Sequence, residues 1–111
     1  MPSLRELEAR FVRDCEEGRI IAPAETLAEA DGVLFLCPKC FVANQRNVGT
    51  HWVLCWFEGK VPDERDPKPG RWNPVGTGLD DLTFVPGRKS HSVLITTGCR
   101  WHGFVANGRA E

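Results

Sequence analysis

The sequence predicts an α+β fold in which a helical N-terminus packs on a small, mostly antiparallel sheet. Residues 3–17 carry apolar side chains at helical spacing, whereas from residue 33 onward short strand-like runs alternate with Gly and Pro. A chain of 111 residues with 41% hydrophobic content has room for one compact domain and too little for two independent cores. We therefore expect a single domain, 1–111, made of a helical N-terminal segment, 1–31, and a β-rich core, 32–111.

Two helices are predicted in the N-terminal segment. In residues 3–17, Ser3 and Glu6 match a capping box, the pattern that satisfies the first free N–H groups of a helix. The apolar residues that recur at helical spacing are Leu4, Leu7, Phe11 and Cys15. A second, shorter helix is expected over residues 24–31, since Pro23 is a suitable opening residue.

The rest of the chain is predicted to form strands and turns. Residues 51–57 are apolar on both alternating faces, which is typical of a buried strand, so Trp52 and Trp56 are expected in the core. A hairpin is predicted to close through Asn107 and Gly108. Further strands are expected at 33–36, 82–85 and 92–97. Residues 58–71 contain three Pro and two Gly and are expected to form an exposed excursion.

A metal site is predicted from two four-residue motifs, CPKC at 37–40 and CRWH at 99–102. Zinc takes four tetrahedral ligands and binds thiolates and imidazoles readily. Each motif follows a predicted strand and supplies two ligand-type residues with two spacers between them. The sequence thus predicts one zinc ion held by two knuckles at strand ends, with these ligands: Cys37, Cys40, Cys99 and His102.

Four protein ligands would leave no open position for water, so we expect a structural rather than a catalytic ion. Iron in the same cage remains an alternative. A second alternative is that the cysteines are buried thiols without a metal. Redox use of Cys37 and Cys40 is less favoured, because the pair is not predicted to open a helix in a βαβ unit, where its thiolate would be stabilised.

Other polar and aromatic residues give weaker signals. His51 and Cys55 share a strand face and His91 begins another strand, which suggests a second metal or acid–base site; a structural role is the simpler interpretation. Trp101 and Arg100 lie in a tight turn between two predicted ligands and are candidate partner-binding residues.

Charge and hydropathy favour a cytoplasmic protein, and nothing in the overall charge points to a polyanion-binding protein. There are 14 Lys+Arg and 15 Asp+Glu, a net charge of -1. No stretch approaches the roughly 20 apolar residues that span a bilayer, and the N-terminus lacks the apolar core of a signal peptide. Five cysteines, an odd number, also suit a reducing compartment, so we expect the cytoplasm and no membrane partner.

Over roughly residues 31–109 the sequence resembles a family of small zinc-binding proteins encoded in bacteriophages and prophages. The matching motifs are GVLFLCPKCF, HWVLCWF, PGRWNPVGTGLDDLTF and the most specific one, GCRWHGFVANGR. The resemblance implies a phage-type origin, a host cytoplasmic location and a zinc-binding fold, and it supplies no catalytic residues. Some members carry the label ammonia monooxygenase. That activity belongs to a membrane copper enzyme, and it is not expected here, since the chain has no spanning segment and no copper-site pattern.

These observations favour a non-catalytic module that binds a protein or modulates a host process, with one structural zinc. One alternative is a metal-dependent hydrolase-like enzyme in which three of the four residues bind and His51 or His91 acts as base. A zinc-containing nucleic-acid binder is less favoured, because the charge is balanced.

Overall fold

The computed structural model describes residues 2–15, 20–45, 48–67, 70–86, 92–95 and 99–111. The described elements, in chain order, are β1 (Arg10–Cys15), β2 (Ile20–Pro23), β3 (Gly32–Leu36), α1 (Pro38–Asn44), β4 (Trp52–Trp56), β5 (Asn73–Val75), β6 (Thr83–Val85), β7 (Val93–Leu94), β8 (His102–Gly103), β9 (Val105–Ala106) and β10 (Arg109–Ala110). Within these ranges, no helix has the length and apolar character needed to cross a membrane.

The largest sheet has four antiparallel strands in the order β2-β1-β3-β4. Its inner face is built from large apolar side chains that face one another across the strands: Phe11 lies opposite Val33, and Phe35 opposite Val53. All four are buried in the main core. Three two-stranded sheets, β5-β6, β7-β8 and β9-β10, complete the described strands.

The predicted helical N-terminus is wrong, because the described part of residues 3–17 contains one turn followed by β1, and β2 follows at Ile20–Pro23. The capping box does form: Ser3 Oγ accepts the Glu6 N–H at 3.1 Å, and Glu6 Oε1 accepts the Ser3 N–H at 3.1 Å. The turn ends at Glu8, whose φ of 55° is left-handed, and β1 begins at Arg10. A local helix-start motif therefore produced one turn only.

Tertiary pairing explains why the chain continues as a strand. Phe11 and Val12 are consecutive and both buried, on opposite faces of the sheet, which an amphipathic helix could not achieve. β1 also lies between β2 and β3, so both of its edges are hydrogen-bonded. Sheet pairing thus overrides helical spacing in this segment, and residues 1–31 are not a separate helical layer.

The second predicted helix is also wrong. Residues 24–31 form a bend and a turn, in which Thr26 Oγ1 accepts the Glu29 N–H at 3.3 Å. Pro23, which was expected to open the helix, is the last residue of β2. Gly32, which follows the predicted helix, is the first residue of β3. This segment serves as the connection between two strands of the same sheet.

The β-rich part follows the sequence prediction more closely. The strands expected at 33–36, 51–57 and 82–85 are confirmed as β3, β4 and β6. Of the strand expected at 92–97, residues 93–94 form β7, and residues 96–97 lie outside the described part. The predicted closing hairpin, β9 and β10 (residues 105–110), is confirmed, with positive φ values at both turn residues, Asn107 at 51° and Gly108 at 76°.

The 58–71 segment has a buried anchor, contrary to the prediction of an exposed excursion throughout. Arg71 is 1% exposed and donates hydrogen bonds of 2.5 to 2.9 Å to backbone carbonyls within the segment: those of Pro62, Arg65, Pro67 and Gly70. Val61 packs with Val12 and Trp56 on the outer face of the main sheet. At the other end of β4, Trp52 is 45% exposed, so the expectation that it lies in the core is wrong.

Candidate metal site

Cys37 and Cys40 lie at the start of α1. β3 ends at Leu36, and Cys37 caps the helix that Pro38 opens. Proline suits this position because the first N–H groups of a helix have no intrahelical partner. The Cys37 carbonyl accepts the Phe41 N–H at 2.9 Å. The pair therefore does open a short helix, but between two antiparallel strands and not in a βαβ unit, and the helical turn directs both thiols to the same side.

His51 reaches the same place through sheet register. The Cys37 N–H donates to the His51 carbonyl at 2.8 Å, which extends the antiparallel pairing of β3 and β4 beyond the end of β3. The residue just before β4 is thereby set beside the first cysteine.

Cys99 comes from a distant part of the chain, in the turn before β8. The Cys99 Sγ lies 3.5 Å from the Cys37 Sγ and 3.2 Å from the His51 Nε2. The next residue, Arg100, has a φ of 55°, which allows the sharp turn between Cys99 and β8. The Lys39 ammonium donates to the Cys99 carbonyl at 2.7 Å and connects this turn to α1.

These side chains form a group that could hold a metal ion, here called the metal cluster: Cys37, Cys40, His51 and Cys99. One donor atom from each lies within 4.8 Å of the others. In a tetrahedral site with zinc–sulfur bonds of about 2.3 Å, two sulfurs are about 3.8 Å apart. The observed separations are close to that geometry, so the donor set fits a tetrahedral ion with three sulfurs and one nitrogen.

The histidine is oriented for coordination through Nε2. Its Nδ1 lies 3.4 Å from the Trp52 carbonyl, on the opposite side of the ring from the Cys99 sulfur. Metal-bound histidines commonly donate their second N–H to a carbonyl, which fixes the tautomer. His51 thus has a backbone acceptor in place for the tautomer that leaves Nε2 free to bind.

The three cluster thiols differ in acidity. Burial raises the pKa of Cys37 to about 12, and burial also raises the pKa of Cys40. At Cys99 burial acts in the same direction, but hydrogen bonds from His51, the Trp101 backbone and the other two thiols outweigh it and bring the pKa to about 6. Three thiols this close cannot all ionise without a compensating cation. A bound dication supplies that compensation and displaces the thiol protons.

His102, the predicted fourth ligand, is not part of this group. Its Nε2 lies 3.1 Å from Ser92 Oγ. The reason is strand alternation: Trp101 and Gly103 face the core, so His102 between them points to the exposed face of β8. The structure brings together three of the four predicted residues and supplies His51 as the imidazole.

The candidate partner-binding pair is divided between core and surface. Trp101 is 4% exposed and packs edge-on against Phe35, with ring centroids 6.0 Å apart, so the expectation of an accessible ring is wrong. Arg100 is exposed.

Cys55 is buried in the main core, where burial raises its pKa, and does not join the metal cluster. His91 lies outside the described residues.

A signal for His51 was present in the sequence. If the strands at 33–36 and 51–57 are paired as antiparallel neighbours, a register that aligns Val33 with Cys55 sets His51 opposite Cys37. The CRWH motif favoured His102, because a motif records only which residues are close along the chain.

No family model, curated protein or solved structure matches the chain.

Proposed function

We propose that this is a small structural-zinc protein of phage or prophage type that acts as a non-catalytic protein-binding module. The observation that carries the proposal is the convergence of three thiols and one imidazole within 4.8 Å. The phage-type origin is supported by the motif resemblance, above all by the closing GCRWHGFVANGR segment.

The donor chemistry favours zinc in a structural role. Four protein ligands saturate a tetrahedral ion and leave no position for a reactive water. Three thiolates and a neutral imidazole around Zn²⁺ carry a formal net charge of about −1, which makes the ion a poor Lewis acid. With His51 engaged as a ligand, one of the two histidines that the hydrolase alternative could use as base is taken up by the metal.

The expected contribution of the ion is to connect distant segments. Cys37 and Cys40 lie at the β3–α1 junction, His51 immediately precedes β4, and Cys99 precedes β8. One ion at this point closes long loops of the chain and adds its binding free energy to folding.

The binding role is supported by exposed apolar side chains on β7 and just after β8. Leu94 lies opposite His102 in the strand pairing and is 57% exposed. Phe104 is 46% exposed, and its ring centroid lies 6.5 Å from that of His102. Exposed apolar residues that share one face, unlike scattered ones, are typical of interaction surfaces.

The metal part is tested by elemental mass spectrometry on untagged protein, comparing wild type with Cys99→Ser. We expect one zinc per chain in wild type and loss of zinc in the variant. Cys15→Ser is the matched control, since Cys15 is a free cysteine outside the metal cluster and should retain the zinc. X-ray absorption should give three sulfurs at about 2.3 Å and one nitrogen at about 2.0 Å. A water ligand instead of a protein ligand would contradict the structural role and favour the hydrolase.

The binding part is tested by incorporating a photo-crosslinking amino acid at Phe104 in bacterial cells. The control position is Val42, an exposed apolar residue on α1. We expect one discrete protein adduct at position 104 that is absent at 42 and is lost in Leu94→Ser. Equal crosslinking at both positions, or no adduct at 104, would contradict the proposed surface.

A further inference from the structure

We propose that Lys39 is a positioning residue of the metal cluster, which holds the Cys99 turn against α1 and offsets the negative charge of the zinc thiolates. This inference rests on the proposed zinc site and names a residue that does not itself bind the ion. It assigns a function to one of the two spacer positions of the CPKC motif.

The contact itself is the first support. The Lys39 ammonium donates to the Cys99 carbonyl at 2.7 Å, across 60 positions of sequence. Lys39 belongs to the half of the site that contains Cys37 and Cys40, whereas Cys99 is contributed by the other half. The bond therefore joins the two halves independently of the ion. It helps to set how far the Cys99 sulfur lies from the sulfurs of Cys37 and Cys40.

Charge is the second support. When zinc is bound by three thiolates, the cluster carries a formal net charge of about −1. The hydrogen bond holds the ammonium on the backbone of one ligand, so a full positive charge stays beside the cluster. A positive charge at that distance stabilises the thiolate form of the site. Residues around a metal that orient or electrostatically support its ligands commonly change its affinity when replaced.

The alternative is that Lys39 is an ordinary surface lysine. Its side chain is exposed, and exposed lysines often make contacts that contribute nothing measurable. The two interpretations differ in one respect: only a positioning residue changes the affinity and exchange rate of the ion while the fold and the ligand set stay the same.

The test measures zinc affinity by competition with a chromophoric chelator for wild type, Lys39→Met, Lys39→Arg and Lys60→Met. Lys60 is an exposed lysine in the 58–71 segment and serves as the matched control. We expect Lys39→Met to weaken zinc binding about tenfold and to speed zinc release. This loss of affinity is at the lower end of the range for residues that support metal ligands, because the Lys39 side chain is exposed. Lys39→Arg, which keeps the charge, should lose less, and Lys60→Met should stay within about twofold of wild type.

Three further measurements keep the outcomes distinct. Circular dichroism and X-ray absorption of zinc-loaded Lys39→Met should match wild type, which shows that the fold and the three-sulfur, one-nitrogen ligand set are retained. The loss in affinity should shrink as salt rises, because added ions screen the charge of the ammonium.

Wild-type affinity in Lys39→Met would overturn the inference and leave the zinc site intact. An equal loss in Lys60→Met would also overturn it, since the effect would then be general surface charge. Failure of the wild-type protein to bind zinc would instead overturn the proposed function, whatever the variants do.

Discussion

The metal cluster and the closing hairpin both join distant parts of the chain, but they do so with different chemistry. In the hairpin the bonds are between backbone groups: the Gly108 N–H donates to the Leu82 carbonyl at 2.9 Å, and the Leu4 N–H donates to the Gly108 carbonyl at 2.8 Å. In the metal cluster side chains converge, and three thiols need a cation to ionise together. The hairpin should therefore hold under conditions that open the cluster, such as chelation.

The largest effect is expected when the cluster loses its imidazole. His51→Ala should weaken zinc binding by more than about 100-fold, because a missing ligand costs more than a missing outer contact. His102→Ala should bind zinc like wild type, since its ring contacts Ser92 rather than the cluster. Both are measured by chelator competition. A larger loss of zinc affinity in His102→Ala than in His51→Ala would contradict this assignment and indicate that Cys99 and His102 both bind the ion.

The next effect concerns the hairpin. In Gly108→Ala a Cβ would clash with the Asp80 carbonyl and lie 2.7 Å from the Leu79 carbonyl, on a backbone with φ of 76°. We expect a loss of about 3 kcal/mol or more in the free energy of unfolding of the zinc-loaded protein, measured in urea.

Gly59→Ala is the control for this substitution, because Gly59 has the same φ of 76° with no atom within 4 Å of the added Cβ. It should cost only about 1–2 kcal/mol, the backbone strain alone. Both alanine variants should still bind one zinc per chain. Loss of zinc in Gly108→Ala would show that the two regions are not separable.

A smaller effect is expected from the turn beside the hairpin. The Asp81 carboxylate accepts the Thr77 and Gly78 N–H groups at 2.8 and 2.9 Å, and these bonds lower its pKa. A lowered folded-state pKa stabilises the protein above the unfolded value of about 4, and this contribution is lost as the pH falls through the folded-state pKa. Asp81→Asn should therefore be less stable than wild type at pH 7.

The two proteins should converge in stability as the pH falls through the lowered folded-state pKa of Asp81, which urea denaturation across pH can follow. Wild type and Asp81→Asn should be compared in a background in which the cluster cysteines are replaced by Ser and the protein still folds. In that background, zinc loss in acid does not change how the free energy of unfolding depends on pH. A constant difference between the two proteins across pH would contradict a role for the charge.

The smallest effect is expected from the ion pair between Arg5 and Asp80, whose side chains are 64% and 75% exposed. Exposed pairs are screened by salt and water, so the coupling in a double-mutant cycle of Arg5→Met and Asp80→Asn should be indistinguishable from zero at 0.15 M salt. A clear coupling would mean that side-chain charge also contributes to holding the N-terminal turn near the hairpin.

Local sequence determined the features that need only neighbouring residues. An Asn-Gly pair sets the left-handed turn of the closing hairpin, and continuous apolar runs specify β3 and β4. The CPKC spacing likewise predicts two residues of the metal cluster, and the CRWH motif predicts Cys99 as a third. Each of these depends on backbone geometry or on separations of a few residues, which the sequence states directly.

Tertiary structure decided the rest. The Ser3–Glu6 capping box formed but gave a single turn, because the strand that follows pairs on both edges and buries Phe11 and Val12 on opposite faces. The imidazole came from His51 rather than His102 because the β3–β4 register, not spacing along the chain, sets which histidine faces the cysteines. Such pairings depend on which distant segments meet, and local patterns carry no direct record of that.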